Sequence, residues 1–457
     1  MARLSAKQVS TLTGSCLLHL MIGSGGTFAN LNTYMTSYLR QNSSRDANYG
    51  QSVWFTAVSV TTFTTITIIS GCIGNKLGTR VTCFIATLIF CAAIAVTAVT
   101  IKSSLLMVLL SFSFAQNVGN GLIYSTVIVN AIKWFPRHKG LVSGLITGSN
   151  AFSSFIFIQM QTFYLNPNNI TPNSDGYFDE TELLSKVPKL FTLLSLVYGF
   201  IGFLGVCLIF NSDDNYSERQ SNQTIDVINV NDSCDNDVYS STTTTTNNGD
   251  NENLMNQSIE SNEVNYSLRY AIKTPLFTIL LITFALSTQT TYLMNSMIKA
   301  FGQSYISDDH YLSVIVSLSF IINGMGGLFW GKVMDHLKFR DTLITINAIL
   351  AVTTFTLKIT GYYYQKIMFA IWDFSLFFTT VGVFSCFLPE VVRKFGHQNS
   401  ITIYGLIHTG PAILNVIMSP LLEWSLNRIG WFADFCIVAS LNAISMIVIM
   451  VSYSRIK

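Results

Sequence analysis

The chain has 457 residues, of which 50% are hydrophobic and only 11% are charged. A typical soluble domain carries about 25% charged residues, so the composition excludes an ordinary soluble protein and indicates a membrane protein. The net charge is +2 and the basic residues are scattered over short loops, so we expect no nucleic-acid partner. The sequence shows no nucleotide-binding glycine loop, nucleophile–base pair or metal-ligand spacing, so we expect neither an enzyme nor a bound cofactor or metal.

Long apolar segments follow one another along the chain, each about as long as the roughly 20 residues that cross a bilayer. The predicted spans, numbered helices 1 to 12, are residues 11–38, 51–73, 80–101, 104–131, 139–163, 189–210, 274–298, 311–332, 342–362, 367–389, 401–423 and 430–453. The sequence therefore predicts an all-α membrane protein with twelve transmembrane helices in two pseudo-symmetric six-helix bundles.

A polar tract rich in Asn and Thr, residues 211–270, separates the two sets of six spans. It contains 11 acidic residues, and its only bases are Arg219 and Arg269, so its net charge is −9. Such a composition cannot bury enough apolar surface to offset chain entropy, and we expect disorder. The predicted domains are residues 1–210, an N-terminal bundle, residues 211–270, an acidic loop, and residues 271–457, a C-terminal bundle.

Basic residues indicate how the protein lies in the membrane. Most of the 26 Lys and Arg residues fall in the terminal segments and in the loops after even-numbered helices. Because short cytoplasmic segments carry an excess of Lys and Arg, both termini are predicted to be cytoplasmic. We expect a multi-pass protein of the plasma membrane rather than of an organelle membrane, with a monomer as the simplest oligomeric state.

A loop pattern recurs at an offset of 260 residues, after helix 2 and after helix 8. Its main positions are Gly71, Asn75 and Arg80 in the first copy and Gly331, Asp335 and Arg340 in the second. A glycine permits close helix approach, while an acid and an arginine can form charge pairs that break and re-form as two bundles move. The repeat favours duplication of a six-helix unit, and it makes these six residues candidates for a gating role.

These loops resemble the signature loop of the major facilitator superfamily, with Asn75 where that signature has Asp. A finer resemblance is to the oxalate/formate antiporter and monocarboxylate-porter-like group, including its eukaryotic members. The matching stretches are residues 30–40, 133–148 and 395–421. The resemblance implies the major facilitator fold and transport by alternating access.

Oxalate-binding members of this group are expected to hold the dianion with one basic residue in helix 8 and one in helix 11. The corresponding positions fall near Gly327 and near Gly410 or Pro411, so this chain lacks both cations. Burying a dianion without a paired cation is very costly, and a monoanion moving with a proton, or a neutral solute, fits better.

Ionisable residues inside spans are functional candidates, because a charge in the membrane is expensive. Asp373 in helix 10 is expected to be the only carboxylate clearly within a span, with proton coupling or a structural pair with Lys358 or Lys366 as its two roles. His408 in helix 11 and His19 in helix 1 are candidates for substrate or proton contact, and the alternative for both is an interhelical hydrogen bond.

Polar uncharged residues are frequent in helices 1, 4 and 7, which line the cavity in this fold. The preferred cavity residues are Asn30, Tyr124, Gln289 and Tyr292, although for any one of them alone an interhelical hydrogen bond is the favoured role. Gly140, Gly144 and Gly148 repeat every four residues, so helix 5 is expected to pack closely against a neighbour along this face.

The sequence predicts a secondary active transporter of a small organic anion, with a monocarboxylate as the preferred substrate. Coupling would be proton symport or anion exchange, so the expected partners are the anion, protons and the lipid bilayer. Two alternatives stay open, a neutral-solute carrier of the same fold and a non-transporting membrane sensor or accessory subunit that signals through residues 211–270.

Overall fold

The computed structural model describes residues 5–43, 47–135, 138–211, 268–396 and 400–453, and every regular element in these ranges is helical. Most of the predicted acidic loop lies outside the described residues, so its disorder and the domain boundaries stay predictions. Eleven helices of the described residues are long and apolar enough to cross a membrane. This confirms the predicted all-α membrane fold.

Seven of the helices are unbroken. They are helix 2 (Ser52–Leu77), helix 3 (Thr79–Thr100), helix 5 (Lys139–Leu165), helix 6 (Val187–Leu208), helix 8 (Asp309–His336), helix 10 (Gln365–Phe395) and helix 12 (Trp431–Ser452). Each matches a predicted span to within six residues at either end, because long apolar runs fix the existence of a helix better than its ends.

The other helices change geometry along their length. The segments are Ala6–Ile22, Gly23–Thr27 and Phe28–Asn42 in helix 1, Leu105–Val108, Leu109–Ala115 and Gln116–Trp134 in helix 4, Pro275–Ser287 and Gln289–Gln303 in helix 7, Phe339–Thr356 and Leu357–Gly361 in helix 9, and Ser400–Ile407 and Thr409–Arg428 in helix 11. Such irregular backbone is tolerated at membrane depth where protein or a cavity surrounds it.

Helix 1 is not among the eleven apolar helices. Its second segment carries Asn30, Asn32 and Thr33, and every residue from Phe28 to Leu39 is buried. Protein rather than lipid therefore surrounds this polar segment, which offers hydrogen-bonding groups to its neighbours.

Side-chain caps begin several helices. Ser5 and Gln8 form a reciprocal capping box at helix 1, and the Thr274 hydroxyl accepts the Phe277 N–H ahead of Pro275 at the start of helix 7. Asp308 accepts the Tyr311 N–H at 3.0 Å at the start of helix 8. These bonds satisfy N–H groups that have no partner within the helix.

Two hydrophobic cores hold the molecule, one within helices 1–6 and one centred on helices 7–12. We call the end at which helix 1 begins and helix 12 ends the terminal side, and the other end the distal side. The two bundles make hydrogen bonds to each other near the distal side. Thr162 of helix 5 bonds to Ser313 of helix 8 at 2.9 Å, and Asn166 bonds to Asp309 at 2.9 Å.

Helices 5 and 8 touch each other at the distal side. Closer to the terminal side, the same faces of these two helices carry glycines. Thr162, Gly148 and Gly144 share one face of helix 5, because a helix turns by 3.6 residues. A Cβ atom added at Gly144, Gly148 or Gly331 would meet no atom within 4 Å. The predicted close packing along Gly144 and Gly148 is therefore wrong for this conformation, in which the described residues leave open space beside these two glycines.

The residue pairing between helices 5 and 8 can be continued from the hydrogen-bonded residues to these glycines. They run antiparallel, with Asn166 bonded to Asp309 and Thr162 bonded to Ser313. One residue back on helix 5 for each residue forward on helix 8 places Gly144 opposite Gly331. Helices 5 and 8 are thus joined at the distal side and parted at the terminal side.

Candidate functional site

A cavity of about 80 Å³ lies between helices 7, 8 and 10. Its neutral polar lining residues are Thr291, Asn295, Asn323 and Thr380, and its apolar lining residues are Met294, Phe320, Phe377, Val381 and Phe384. The Asn323 amide donates to the Phe377 carbonyl at 2.8 Å. The Thr291 hydroxyl is buried without a hydrogen-bond partner. Apolar walls with a few polar groups are typical of a small-molecule site.

Helix 7 is interrupted beside this cavity, and polar side chains bond to the backbone there. The Thr288 hydroxyl donates to the Phe284 carbonyl at 2.9 Å, and the Gln289 amide donates to the Ala285 carbonyl at 2.9 Å. Gln289 is buried against its own helix and does not line the cavity. Tyr292 is half-buried next to the lining residue Thr291. The predicted cavity residues Gln289 and Tyr292 therefore lie close in sequence to the cavity wall but are not part of its lining.

His408 lies at the interruption of helix 11. Its Nδ1 is 3.0 Å from the Tyr404 carbonyl, and its ring packs on Phe284 of helix 7 at 4.7 Å and on Tyr404 at 4.4 Å. The ring is half-buried. The structure therefore brings His408 to the helix 7–11 contact, where its bond is to its own helix.

His19 and Tyr124, predicted separately, are brought together inside the N-terminal bundle. Their ring centroids are 5.4 Å apart, and His19 Nδ1 is 3.2 Å from the Ser15 carbonyl. His19 is fully buried, whereas Tyr124 is half-buried and also contacts Phe63. This pair belongs to helices 1 and 4, whereas the cavity lies between helices 7, 8 and 10.

Asp373 is fully buried between helices 8 and 10 and accepts a hydrogen bond from the Ser319 hydroxyl at 2.8 Å. Its proposed structural partners are occupied elsewhere. Lys366 pairs with Asp308 at 2.5 Å, and Lys358 lies over the Phe432 ring at 5.6 Å. The predicted alternative of a pair with either lysine is therefore wrong.

The sequence predicts that Asp373 is the only carboxylate clearly within a span. The structure shows that this prediction is wrong. Asp309, Glu390 and Asp434 are fully buried as well. Glu390 pairs with Arg393 at 2.6 Å and accepts from the Tyr453 hydroxyl, and Asp434 accepts from Ser425. These two stabilise the ends of helices 10 and 12, whereas Asp309 belongs to a larger cluster.

Lys299 and Asp309 form a fully buried ion pair, with 2.7 Å between Lys299 Nζ and Asp309 Oδ1. Asn30, a predicted cavity residue, accepts from Lys299 Nζ at 2.6 Å through its Oδ1 atom. Ser313 accepts from the same ammonium at 2.9 Å, and the Tyr34 hydroxyl donates to Asp309 Oδ2 at 2.5 Å. The cluster joins helices 1, 7 and 8 across the two bundles.

Sequence reasoning missed this cluster because it placed Lys299 and Asp309 outside the spans. The predicted helix 7 ended at residue 298 and the predicted helix 8 began at residue 311, whereas the structure continues helix 7 to Gln303 and begins helix 8 at Asp309. The available signal was the opposite charge of two residues that flank one short loop.

The candidate gating residues lie at the terminal side. Gly71 and Gly331 both face open space, and the Arg80 N–H donates to Asn211 at 3.0 Å.

In the second loop, Arg340 lies 3.9 Å from Asp341 and donates to the Met450 carbonyl at 3.5 Å. The described contacts of Arg340 do not include Asp335, and the Asn75 side chain lies outside the described residues. Their role in gating stays a prediction.

Within the described ranges, no group of three or more His, Cys, Asp or Glu side chains is placed to hold a metal ion. The site consists of a small neutral cavity in the C-terminal bundle, a buried ion pair across the bundles, and two helices parted at one end. Such an arrangement can enclose a small solute and change which side of the membrane reaches it.

Known proteins resemble this chain in sequence. The family model described as Major Facilitator Superfamily matches residues 16–410. Apicoplast pyruvate carrier 1 of Toxoplasma gondii is 23% identical over 450 residues, covering 87% of this chain and 80% of that protein. Apicoplast pyruvate carrier 2 of the same organism is 21% identical over 243 residues, covering 44% of this chain and 37% of that protein.

Solved structures share the fold. A D-xylose-proton symporter superposes with a TM-score of 0.68 at 11% identity, covering 96% of this chain and 97% of that chain. A partially occluded inward-open structure of the xylose transporter XylE from E. coli superposes with a TM-score of 0.64 at 12% identity, covering 97% of each chain. The family match spans most of the sequence, and the chain belongs to the Major Facilitator Superfamily, as a multi-pass membrane transporter rather than an enzyme.

Proposed function

We propose that this transporter carries a small monocarboxylate, such as pyruvate, by alternating access with proton symport or anion exchange. The similarity to two pyruvate carriers supports the substrate class. In this proposal both termini are cytoplasmic, so the terminal side is the inner side and the structure represents an inward-open conformation. The membrane in which the protein works follows from neither relative, and the plasma membrane stays the prediction.

The observation that carries the proposal is the small cavity with neutral polar groups beside the interrupted helix 7. Its lining holds four neutral polar side chains and no charged residue. A dianion such as oxalate would lack a cation in this lining, which agrees with the missing basic residues near Gly327 and Gly410. A monocarboxylate carries one charge, which needs a single counter-charge nearby.

Alternating access is supported by helices 5 and 8. They are bonded at the distal side through Thr162 and Ser313, while Gly144 and Gly331 face open space at the terminal side. Small residues allow two helices to approach closely, so a rocking motion could close the terminal side along these glycines.

Counterflow with purified protein in proteoliposomes tests the proposal. Vesicles loaded with unlabelled pyruvate should accumulate labelled pyruvate, and lactate or formate inside should replace pyruvate. Oxalate and xylose should not drive labelled pyruvate uptake. Trans-stimulation by xylose alone would instead establish a neutral-solute carrier, which the neutral lining of the cavity favours as the second candidate.

Deleting residues 215–265 separates transport from signalling. A carrier should keep counterflow in this variant, since helices 6 and 7 would remain joined by the rest of the loop. A membrane sensor that signals through the acidic loop should lose its output and show no counterflow before or after the deletion.

A further inference from the structure

The buried ion pair at the distal side has a complete set of hydrogen bonds. Asp309 is bonded through Oδ1 to Lys299 at 2.7 Å and to Gln303 at 3.1 Å. Its Oδ2 accepts from Tyr34 at 2.5 Å and from Asn166 at 2.9 Å. Both members of the pair are fully buried. Burying two charges is costly unless each is fully bonded, and this geometry supplies the bonds.

Among the described residues, Asp309 is the one carboxylate that pairs with Lys299. The other partners of Lys299 are the Asn30 carbonyl oxygen at 2.6 Å, the Ser313 hydroxyl at 2.9 Å and the Tyr34 hydroxyl at 3.3 Å, all of them neutral. The ammonium also lies 4.6 Å from the centroid of the Tyr34 ring. If Asp309 is neutralised, the buried ammonium needs another anion, because an unpaired charge in this environment is strongly disfavoured.

The pair is connected to the cavity by one face of helix 7. Thr291, Asn295 and Lys299 follow each other at four-residue intervals, and the first two line the cavity. Lys299 therefore lies about 6 Å beyond Asn295 along the helix axis, toward the distal side. On helix 8, Ser313 contacts Lys299 while Phe320, two turns onward, lines the cavity.

We propose that Lys299 binds the substrate carboxylate and that Asp309 releases Lys299 by taking up a proton. This inference rests on the proposed monocarboxylate transport. When the distal side opens, water reaches the pair, and a proton from that water binds to Asp309. The substrate carboxylate then replaces the Asp309 carboxylate beside Lys299. The net charge of the site is unchanged, so one proton moves with each monoanion.

On the terminal side the order reverses. The anion leaves through the opening between helices 5 and 8, Asp309 gives up its proton, and the ion pair re-forms. The structure has this pair intact and the terminal side open, which is the arrangement expected of a carrier that has released its substrate. The substrate is recognised as a small carboxylate of single negative charge, and the proton is its obligatory companion.

The described titratable groups near Asp309, other than Tyr34 and Lys299, are engaged elsewhere. On helix 8, Asp308 pairs with Lys366 of helix 10 at 2.5 Å, and His310 Nε2 is 2.5 Å from the Asn166 carbonyl. From the N-terminal half, Tyr34 faces Asp309 directly, while the Tyr49 hydroxyl donates to the Gly176 carbonyl at 2.7 Å. Lys299 of helix 7 is the cation that contacts the Asp309 carboxylate.

Transport by Asp309→Asn and Lys299→Gln variants tests the proposal, after wild-type protein has shown pyruvate counterflow. Asp309→Asn mimics the protonated carboxyl, so it should keep pyruvate counterflow and lose accumulation driven by a pH gradient. Lys299→Gln should raise the pyruvate concentration for half-maximal counterflow by about a hundredfold, since a buried carboxylate would lose its charged partner. Lys366→Gln removes an exposed ion pair at the same side and should resemble wild type.

Lys299→Gln alone leaves Asp309 unpaired and could fail to fold, so the Lys299→Gln/Asp309→Asn double variant is measured with it. This variant removes both charges, should elute as a monodisperse protein, and should have lost saturable pyruvate counterflow. Wild-type pyruvate affinity in the double variant, or retained proton-driven accumulation in Asp309→Asn, would overturn the assignment. Failure of the wild-type protein to exchange any monocarboxylate would instead refute the proposed function.

Discussion

The Trp54 indole of helix 2 donates from Nε1 to Glu423 Oε2 of helix 11 at 2.8 Å, and this bond ties the two bundles together at the distal side. Farther along, the Thr61 hydroxyl of helix 2 donates to the Ala412 carbonyl at 3.4 Å. Helices 2 and 11 thus form a second contact between the bundles, beside that of helices 5 and 8. Together with the helix 5–8 contact and the Lys299–Asp309 cluster, this contact joins the two bundles at the distal side.

Trp54→Phe should favour opening of the distal side. The variant removes the indole donor from Glu423, and a hydrogen bond to a charged group contributes about 1.5–3 kcal/mol. Spin labels at the exposed residues Glu182 and Tyr363, on the distal side of the two bundles, should show a larger population of long distances than in wild type.

Trp372→Phe is the matched control for this measurement. Its indole donates to Thr356 at 3.0 Å within the C-terminal bundle, so its loss should leave the distance between the labels unchanged. An identical distance distribution in the Trp54 variant and wild type would show that the Trp54–Glu423 bond does not hold the distal side closed.

Gly326→Ala should destabilise the C-terminal bundle. A Cβ atom at Gly326 would lie 2.3 Å from the Phe378 carbonyl oxygen, so helices 8 and 10 would have to separate. Overpacking of this kind costs about 1–3 kcal/mol. Thermal unfolding in detergent should show a lower midpoint for this variant.

Gly324→Ala serves as the control two residues away, since a Cβ atom there meets nothing within 4 Å. Its unfolding midpoint should match that of wild type. Equal midpoints for the two variants would mean that helices 8 and 10 are not packed closely at Gly326.

Asp309→Asn and Asp373→Asn together decide which carboxylate carries the coupled proton. Asp309 faces the Lys299 ammonium, whereas the described partner of Asp373 is the Ser319 hydroxyl. We expect initial rates of pyruvate uptake to become independent of external pH in Asp309→Asn and to stay pH-dependent in Asp373→Asn. The opposite pattern would return proton coupling to Asp373, the candidate from the sequence.

Acidification should weaken the exposed Asp308–Lys366 pair without unfolding the protein. Burial raises the pKa of Asp308, but hydrogen bonds from Lys366, the Tyr311 N–H and Asn169 outweigh it, so the pKa is lowered overall. A lowered pKa contributes stability at neutral pH that is lost as the pH falls through the folded-state pKa. Because both side chains are partly exposed, the effect on the unfolding midpoint should be small, as a comparison of Lys366→Gln with wild type at neutral and acidic pH would show.

The sequence predicts the helices better than it predicts the site. Helix 3 was expected at residues 80–101 and is found at Thr79–Thr100, because an uninterrupted apolar run leaves little choice. Helix 7 was ended one residue before Lys299, because a lysine within a span is expensive. Its counter-charge comes from Asp309, and only the packing of helices 7 and 8 shows that the two charges meet.

Conformation also limits what the sequence can predict. The spacing of Gly144 and Gly148 indicates a close helix contact, and the structure shows open space there. A glycine pattern does not specify the conformation in which the contact forms. His408 is a candidate because imidazole titrates near neutrality and because it lies beside the expected helix 11 site, and Tyr124 is a candidate because it is polar within a span. The structure adds which rings they contact.

Cysteine cross-linking at the two ends of helices 5 and 8 tests alternating access most directly. In a background without the eight native cysteines, Thr162→Cys/Ser313→Cys reports the distal side and Gly144→Cys/Gly331→Cys reports the terminal side. A disulfide needs Cα atoms about 4.4–6.8 Å apart. The Thr162 and Ser313 hydroxyls are 2.9 Å apart, whereas Gly144 and Gly331 face open space, so we expect the distal pair to cross-link more readily in the conformation described. We predict that the terminal pair cross-links during pyruvate exchange, that either cross-link stops counterflow, and that reduction restores counterflow to the level of the same double variant before cross-linking. Simultaneous cross-linking at both ends with undiminished counterflow would contradict transport by alternate opening of the two sides.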